Sequence, residues 1–115
     1  MVDDSPQFRD VAAVLLAERG IVLVGQAADA NQALHAAARG CPDGILLDIG
    51  LPGVDGFAAA AALAALCPAA RIVLTSATFT EVSERLLKEC AAIAFVPKDE
   101  LAGADLGALF TPAGT

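Results

Sequence analysis

Ile45-Leu46-Leu47-Asp48-Ile49-Gly50-Leu51-Pro52-Gly53-Val54-Asp55-Gly56 is the stretch on which the fold turns. Its opening run is short and apolar, ends on a carboxylate and is followed at once by Gly and Pro. That is the pattern of a buried strand delivering one Asp to a loop. In an open parallel sheet, ligands and chemistry collect at the carboxyl ends of the strands, which puts Asp48 at the functional edge. Pro52 and Gly53 keep a helix from starting early, and Gly56 allows a tight exit into the alanine-rich segment that follows.

On either side of this loop, helical and apolar stretches alternate. Ser5 as N-cap and Pro6 in the first turn predict a helix running to about Arg19-Gly20, with Phe8, Val11, Ala12, Leu15 and Leu16 on one face. Ile21-Val22-Leu23-Val24 has the look of a fully buried parallel strand. Asp29 or Asn31 can cap a second helix that includes Leu34 and stops at Arg39-Gly40. A helix over Phe57 to Leu66 is closed by Pro68, and Arg71 to Ser76 is an apolar run ending in two hydroxyls. Thr80 to Cys90 reads as an exposed helix with one buried stripe made of Val82, Leu86 and Leu87. Ile93 to Pro97 is the last strand and ends at Lys98. A final helix over Leu101 to Phe110 is weakened by Gly103 and Gly107, at roughly 1 kcal/mol each relative to Ala. Strict alternation implies an α/β doubly wound parallel sheet with right-handed crossovers, read as one domain over residues 1–115 with no linker and no output domain.

With 115 residues, 57% of them hydrophobic, the chain has ample material for one packed core. Seven basic against 14 acidic residues, a net charge of −7, argue against a nucleic-acid or anionic-membrane surface. A membrane-spanning helix needs about 20 consecutive apolar residues, and the longest run, Phe57 to Cys67, falls well short. No cationic start leads into an apolar stretch, so a cytoplasmic location is expected. Cys41, Cys67 and Cys90 are odd in number and lack the close pairing of a zinc site, so they are expected to be reduced. His35 lies among alanines on the second helix and is given no role.

Four strand ends present polar groups: Asp3-Asp4, Asp48, Thr75-Ser76 and Lys98. Strand ends share one edge of a parallel sheet, which brings these side chains together. Three crowded carboxylates repel one another unless a cation sits among them, so the cluster calls for a hard divalent ion with oxygen ligands, magnesium first.

At Asp48, with its hydrophobic-Pro pair at Leu51-Pro52 and its Gly, the sequence resembles the receiver domain of two-component response regulators, and the likeness extends from Val2 to about Phe110. The resemblance implies a flavodoxin-like sheet of order 2-1-3-4-5, with the first strand reduced to Met1-Val2. It implies that Asp48 is the phospho-acceptor, and that Asp3, Asp4, Asp48 and the backbone carbonyl of Gly50 bind magnesium. Ser76, followed by the small Ala77, and Lys98 would each hold a phosphoryl oxygen, so that Asp48, Ser76 and Lys98 carry the chemistry. Ser76 is preferred to Thr75 on the resemblance alone. Ser76 and Phe95 would form the switch that remodels the face of the fourth helix, fifth strand and fifth helix. The implied partners are a histidine kinase or phosphotransfer protein, and a downstream protein or a second copy on that face, with no nucleic acid and no membrane. Lys98 is followed by Asp99 where many receivers have Pro, as in receivers that precede helix-turn-helix output domains.

Two other readings compete. A degenerate receiver would bind a protein partner without being phosphorylated. A hydrolase of the haloacid dehalogenase type also uses a strand-end Asp, but it needs a second Asp two residues later, where this chain has Gly50. The short start carries its own expectation. A strand is typically about five residues long, and only Met1-Val2 precede Asp3, between the expected strands Ile21–Val24 and Ile45–Leu47. Ladder bonds are then missing on both sides, so either the start is shortened relative to the gene, or the flanking strands rearrange or borrow a strand from another copy. Asp3 and Asp4 are expected to be poorly anchored, and magnesium binding correspondingly weak.

Overall fold

The computed structural model describes residues 1–78 and 81–111. Helix α1 (Pro6–Glu18) starts as the sequence demands, the Ser5 hydroxyl accepting from the Phe8 amide at 3.2 Å and Pro6 occupying the first turn. Helix α2 (Ala30–Arg39) is capped by Asp29 and not by Asn31, Asp29 Oδ1 accepting from Gln32 N–H at 2.8 Å. Strand β1 (Gly44–Asp48) leads through the Asp48 loop to α3 (Gly56–Leu66), whose cap is Asp55. Strand β2 (Arg71–Thr75), helix α4 (Glu84–Glu89) and strand β3 (Ala94–Phe95) follow, and then a 3-10 turn over Lys98–Gly103 and helix α5 (Leu106–Phe110).

The three described strands are parallel in the order β1-β2-β3, with Asp48 opposite Thr75 and Leu74 opposite Phe95. Successive side chains of a strand face opposite sides, and both sides are buried here. Ile45, Leu47, Ile72 and Leu74 face α2 and α3, meeting Ala33, Ala37, Ala60 and Leu63. Leu46 and Val73 face the other way, onto Leu16, Leu101 and Leu106. Two cores on one sheet make the doubly wound α/β arrangement that the continuous apolar runs imply. Alanines let α3 approach the sheet closely, and at Gly56 there is no space at all: a Cβ there would overlap the backbone and side chain of Ile49.

The first strand is Val2 alone, bridged in parallel to Ala27 on one side and Leu47 on the other. Val2 N–H donates to the Leu46 carbonyl at 2.8 Å and Asp48 N–H to the Val2 carbonyl at 2.9 Å, while Ala27 N–H donates to Met1 and Asp3 N–H to Ala27. The expected strand over Ile21–Val24 does not form. The backbone alongside is that of Met1–Val2, which reaches Gly25 and Ala27 only. Without a ladder, the segment keeps Ile21 and Leu23 against the α1 core while Val22 and Val24 stand 82% and 79% exposed.

Other expectations need correction. Cys41 and Cys67 are not reduced but joined in a disulfide, their Cα atoms 5.6 Å apart, because α2 packed against α3 brings together residues far apart in sequence. Cys90 is free and buried. The helix expected over Thr80 to Cys90 begins at Glu84 behind the Ser83 cap, and Thr80 lies outside the described residues. Its stripe is shallow: Val82 and Leu87 are half-buried and Leu86 is exposed. The last strand keeps two residues of the five expected. The final helix divides at Gly103-Ala104-Asp105 into the 3-10 turn and α5, Asp105 capping the second piece through Ala108 N–H. Among the described residues, no helix is long and apolar enough to cross a membrane.

Candidate functional site

Asp48 ends β1 almost completely buried, at 5% exposure. Its Oδ1 accepts from Gly50 N–H at 2.7 Å, and its Oδ2 lies 3.3 Å from Lys98 Nζ. Burial pushes the Asp48 carboxyl above the ordinary carboxylate value and the charge of Asp3 adds to this, against the Gly50 N–H and the Lys98 ammonium, which favour the charged form.

Asp3 is anchored more firmly than its place near the chain start suggests. Its amide donates to Ala27, its carbonyl accepts from Arg9 Nη1 at 2.6 Å, and its Oδ1 accepts from Ser5 N–H at 2.8 Å. Asp3 is buried and Asp4 exposed, and with Asp48 they bring carboxylate oxygens within 4.8 Å of one another. Lys98 Nζ lies 2.8 Å from Asp3 Oδ2, so the charge of that buried oxygen is paired. Oxygen-only donors from three clustered carboxylates fit a hard divalent cation such as magnesium.

Lys98 stands at the first position of the 3-10 turn, after Pro97, and its amide donates to the Ser76 carbonyl at 3.1 Å. Burial pulls the ammonium pKa down, but the Asp3 contact and the charges of Asp48 and Asp3 outweigh it and hold the group above its ordinary value. The ring of Phe8, on the first turns of α1, lies under the ammonium at 4.1 Å to its centroid.

Ser76, one residue beyond β2, is buried and bonded to Thr78, whose amide donates to Ser76 Oγ at 3.1 Å and whose hydroxyl lies 3.1 Å away. Gly50 shows how these groups converge. A Cβ built on it would lie 3.2 Å from Asp48 Oδ1, 3.5 Å from Ser76 Oγ and 3.9 Å from Thr78 Oγ1. The absent side chain leaves the space beside the carboxylate open. Thr75 Oγ1 is buried without a hydrogen-bond partner among the described residues, and Ser76 is the hydroxyl beside the Asp48 loop. Phe95 is half-buried on β3 opposite Leu74 and packs against the α2–α3 core, outside the polar cluster. His35 is exposed on α2.

The sequence-predicted Asp3, Asp4, Asp48, Gly50, Ser76 and Lys98 therefore come together, and Phe95 sits apart from them. Sequence reading missed Phe8, Arg9 and Thr78. For Thr78 there was a signal, a second hydroxyl in the turn after Ser76; for Phe8, an aromatic one helical turn inside α1 reads as ordinary core.

Residues 1–106 match the profile of the family described as Response regulator receiver domain. The chain is 38% identical over 104 residues to protein-glutamate methylesterase/protein-glutamine glutaminase 5 of Anaeromyxobacter dehalogenans, covering 88% of this chain and 28% of that protein. It is 31% identical over 98 residues to transcriptional regulatory protein PdtaR of Mycobacterium tuberculosis, covering 85% and 47%. The chain spans about half or less of the length of the curated relatives it matches. Among solved structures it resembles a two-component response regulator of the LuxR family from Aurantimonas, with a TM-score of 0.79 at 29% identity over 94% of this chain and 81% of that one. It also resembles the signal receiver domain of NarL from Mycobacterium tuberculosis, with a TM-score of 0.73 at 30% identity over 96% and 94%.

Proposed function

The chain belongs to the response regulator receiver domain family, and on that premise we propose that Asp48 accepts a phosphoryl group from a partner histidine kinase or phosphotransfer protein in the cytoplasm. The observation that carries this is that Lys98 Nζ lies 3.3 Å from one carboxylate oxygen of Asp48, while the other carboxylate oxygen and the Ser76 hydroxyl border the open position at Gly50. A carboxylate oxygen of Asp48 attacks phosphorus, a P–O bond forms, and the P–N bond to the donor imidazole breaks with the electron pair leaving on nitrogen. Transfer of this kind depends on positioning and on neutralising charge at the phosphoryl oxygens. Lys98 is already within ion-pair distance of Asp48, and Ser76 offers a hydroxyl at the open position beside Gly50. Asp3, Asp4, Asp48 and the Gly50 carbonyl would hold magnesium, which supplies positive charge to the remaining phosphoryl oxygen. The unit acts as a signalling domain and not as an enzyme with its own substrate.

The output runs through Ser76 and Phe95. As Ser76 turns toward the phosphoryl group, it vacates space that the half-buried Phe95 ring enters, and the face of α4, β3 and α5 changes for a downstream protein or a second copy. The test is incubation with acetyl phosphate and magnesium followed by intact mass measurement. One added phosphoryl group is expected, absent in Asp48→Asn and reduced in Asp3→Asn. An unchanged mass, under conditions that label a control receiver, would leave a degenerate module that only binds protein.

A further inference from the structure

Nothing in the phosphoryl-transfer reading uses the cysteine pair at the opposite end of β1. Cys41 lies in the exposed turn after α2, and Cys67 caps the end of α3, where it is 1% exposed and its amide donates to Leu63 at 2.8 Å. The disulfide joins residues separated by 26 positions, and the segment it encloses contains β1, Asp48, the Asp48 loop and all of α3. The surroundings also suit the two thiols. The Leu66 carbonyl oxygen lies 3.6 Å from Cys41 Sγ, and the Ala37 carbonyl oxygen lies 3.8 Å from Cys41 Sγ and 4.0 Å from Cys67 Sγ. A disulfide has no proton to give these acceptors, whereas a thiol has one. Reduction therefore leaves the buried Cys67 thiol with a backbone acceptor nearby.

We propose that Cys41 and Cys67 form a reversible thiol–disulfide site, entered by an external thiol at the Cys41 sulfur, which opens and closes the covalent ring carrying Asp48. Access decides the direction of attack: Cys41 is exposed and Cys67 is not. A thiolate such as that of glutathione attacks Cys41 Sγ, a mixed disulfide forms, and Cys67 leaves as a thiolate that takes up a proton. A second glutathione thiolate attacks the glutathione sulfur of that mixed disulfide, releasing Cys41 as a thiolate, which is protonated in turn. The sum is one protein disulfide and two glutathione thiols giving two protein thiols and one glutathione disulfide. Cys90 takes no part; it is buried, and its Sγ lies 3.5 Å from the carbonyl of Leu87 in its own helix. In reducing compartments a disulfide that forms at all is usually transient and catalytic or redox-sensing, which suits a site accessible from one side.

The test uses the whole chain in native glutathione buffers stepped from fully reduced to fully oxidised, with exchange quenched by acid and free thiols then alkylated in denaturant and located by mass. We expect two thiols, at Cys41 and Cys67, to appear and disappear together and reversibly, with Cys90 labelled throughout. The oxidised form should melt about 5 °C or more above the reduced one, since the cross-link constrains the unfolded chain. Cys67→Ser should accumulate a glutathione adduct on Cys41, and Cys41→Ser should form none on Cys67. Asp48→Asn should show the same redox behaviour, which separates this site from the phosphoryl-transfer reading. A pair that stays reduced in fully oxidised glutathione would overturn the proposal, as would one that reduces only on unfolding, or equal melting of the two forms. An adduct found on Cys67 in place of Cys41 would overturn the direction of attack; should the serine variants fail to fold, the alkylation pattern of the unmutated chain decides alone.

Discussion

The backbone amide of Lys98 donates to the carbonyl of Ser76 at 3.1 Å, so the two residues are fixed to each other through the main chain. The backbone position of Lys98 thus does not depend on its ion pairs with Asp3 and Asp48. Its charge can be removed without moving the strand end that bears it.

Lys98→Ala should accordingly keep the secondary structure while leaving two buried carboxylates, Asp3 and Asp48, without their cation. Breaking a buried pair costs about 3–5 kcal/mol, and the 19% exposure of the Lys98 side chain brings the expectation down to about 2 kcal/mol at neutral pH. Magnesium or mild acid should restore much of the loss. Thermal melts with and without chelator check this, and an unshifted midpoint in chelator would show that the ammonium does not compensate the pair.

The alkaline limb of stability belongs to the same group. Although burial opposes it, Asp3 and Asp48 raise the Lys98 pKa in the folded state above its ordinary 10.5. The folded chain then holds the proton more tightly than the unfolded one. The resulting stabilisation is complete below pH 10.5 and is lost as pH rises through the folded-state value. The chain has no Tyr and only one other lysine. Denaturant midpoints measured across that range should fall for the unmutated chain and stay flatter for Lys98→Ala.

Asp48 works in the opposite sense. Its pKa is raised from 3.8, chiefly by burial, so its ionised form destabilises the metal-free fold at neutral pH, and the penalty fades as pH falls toward that value. Asp48→Asn keeps an acceptor for Gly50 N–H and removes the charge. A gain of about 1 kcal/mol, roughly 4 °C in melting temperature for a domain of this size, is expected in chelator. The gain should shrink on acidification, and a loss of stability at neutral pH would contradict the assignment.

Two glycines separate backbone from side-chain crowding. A Cβ on Gly56 would overlap the backbone of Ile49, which cannot withdraw, so Gly56→Ala should cost about 3 kcal/mol or more. A Cβ on Gly44 would meet the ring of Phe110 in the short last helix, which can swing aside, so Gly44→Ala should cost about 1 kcal/mol. Urea denaturation of the two variants side by side gives the comparison, and equal losses would mean that Phe110 is as fixed as the Ile49 backbone.

Local chemistry was legible in the sequence wherever the deciding partner lies a few residues away. Ser5 and Asp29 announce their helices because a cap bonds to its own first turn. The polar edge made by Asp3, Asp48, Ser76 and Lys98 was legible for a different reason: parallel strands bring their carboxyl ends to one side whatever the loops do. Ile21–Val24 was misread because β-branched residues state a preference while a strand needs a neighbour, and among the described residues none runs beside it. Cys41–Cys67 was invisible because the packing of α2 on α3, not spacing, brings the sulfurs together. Phe8 was hidden because an aromatic under a lysine and an aromatic in a core look alike in one dimension.

Val2 carries a practical consequence. Its amide and carbonyl tie it to Leu46 and Asp48, and the residues on either side of it hold Ala27. Detaching this one residue would release Asp3 and remove the hydrogen bond that orients the amide of Asp48 in the same event. A change that loosens Val2 from the sheet is therefore felt at the carboxylates next door, however far it lies from them along the chain.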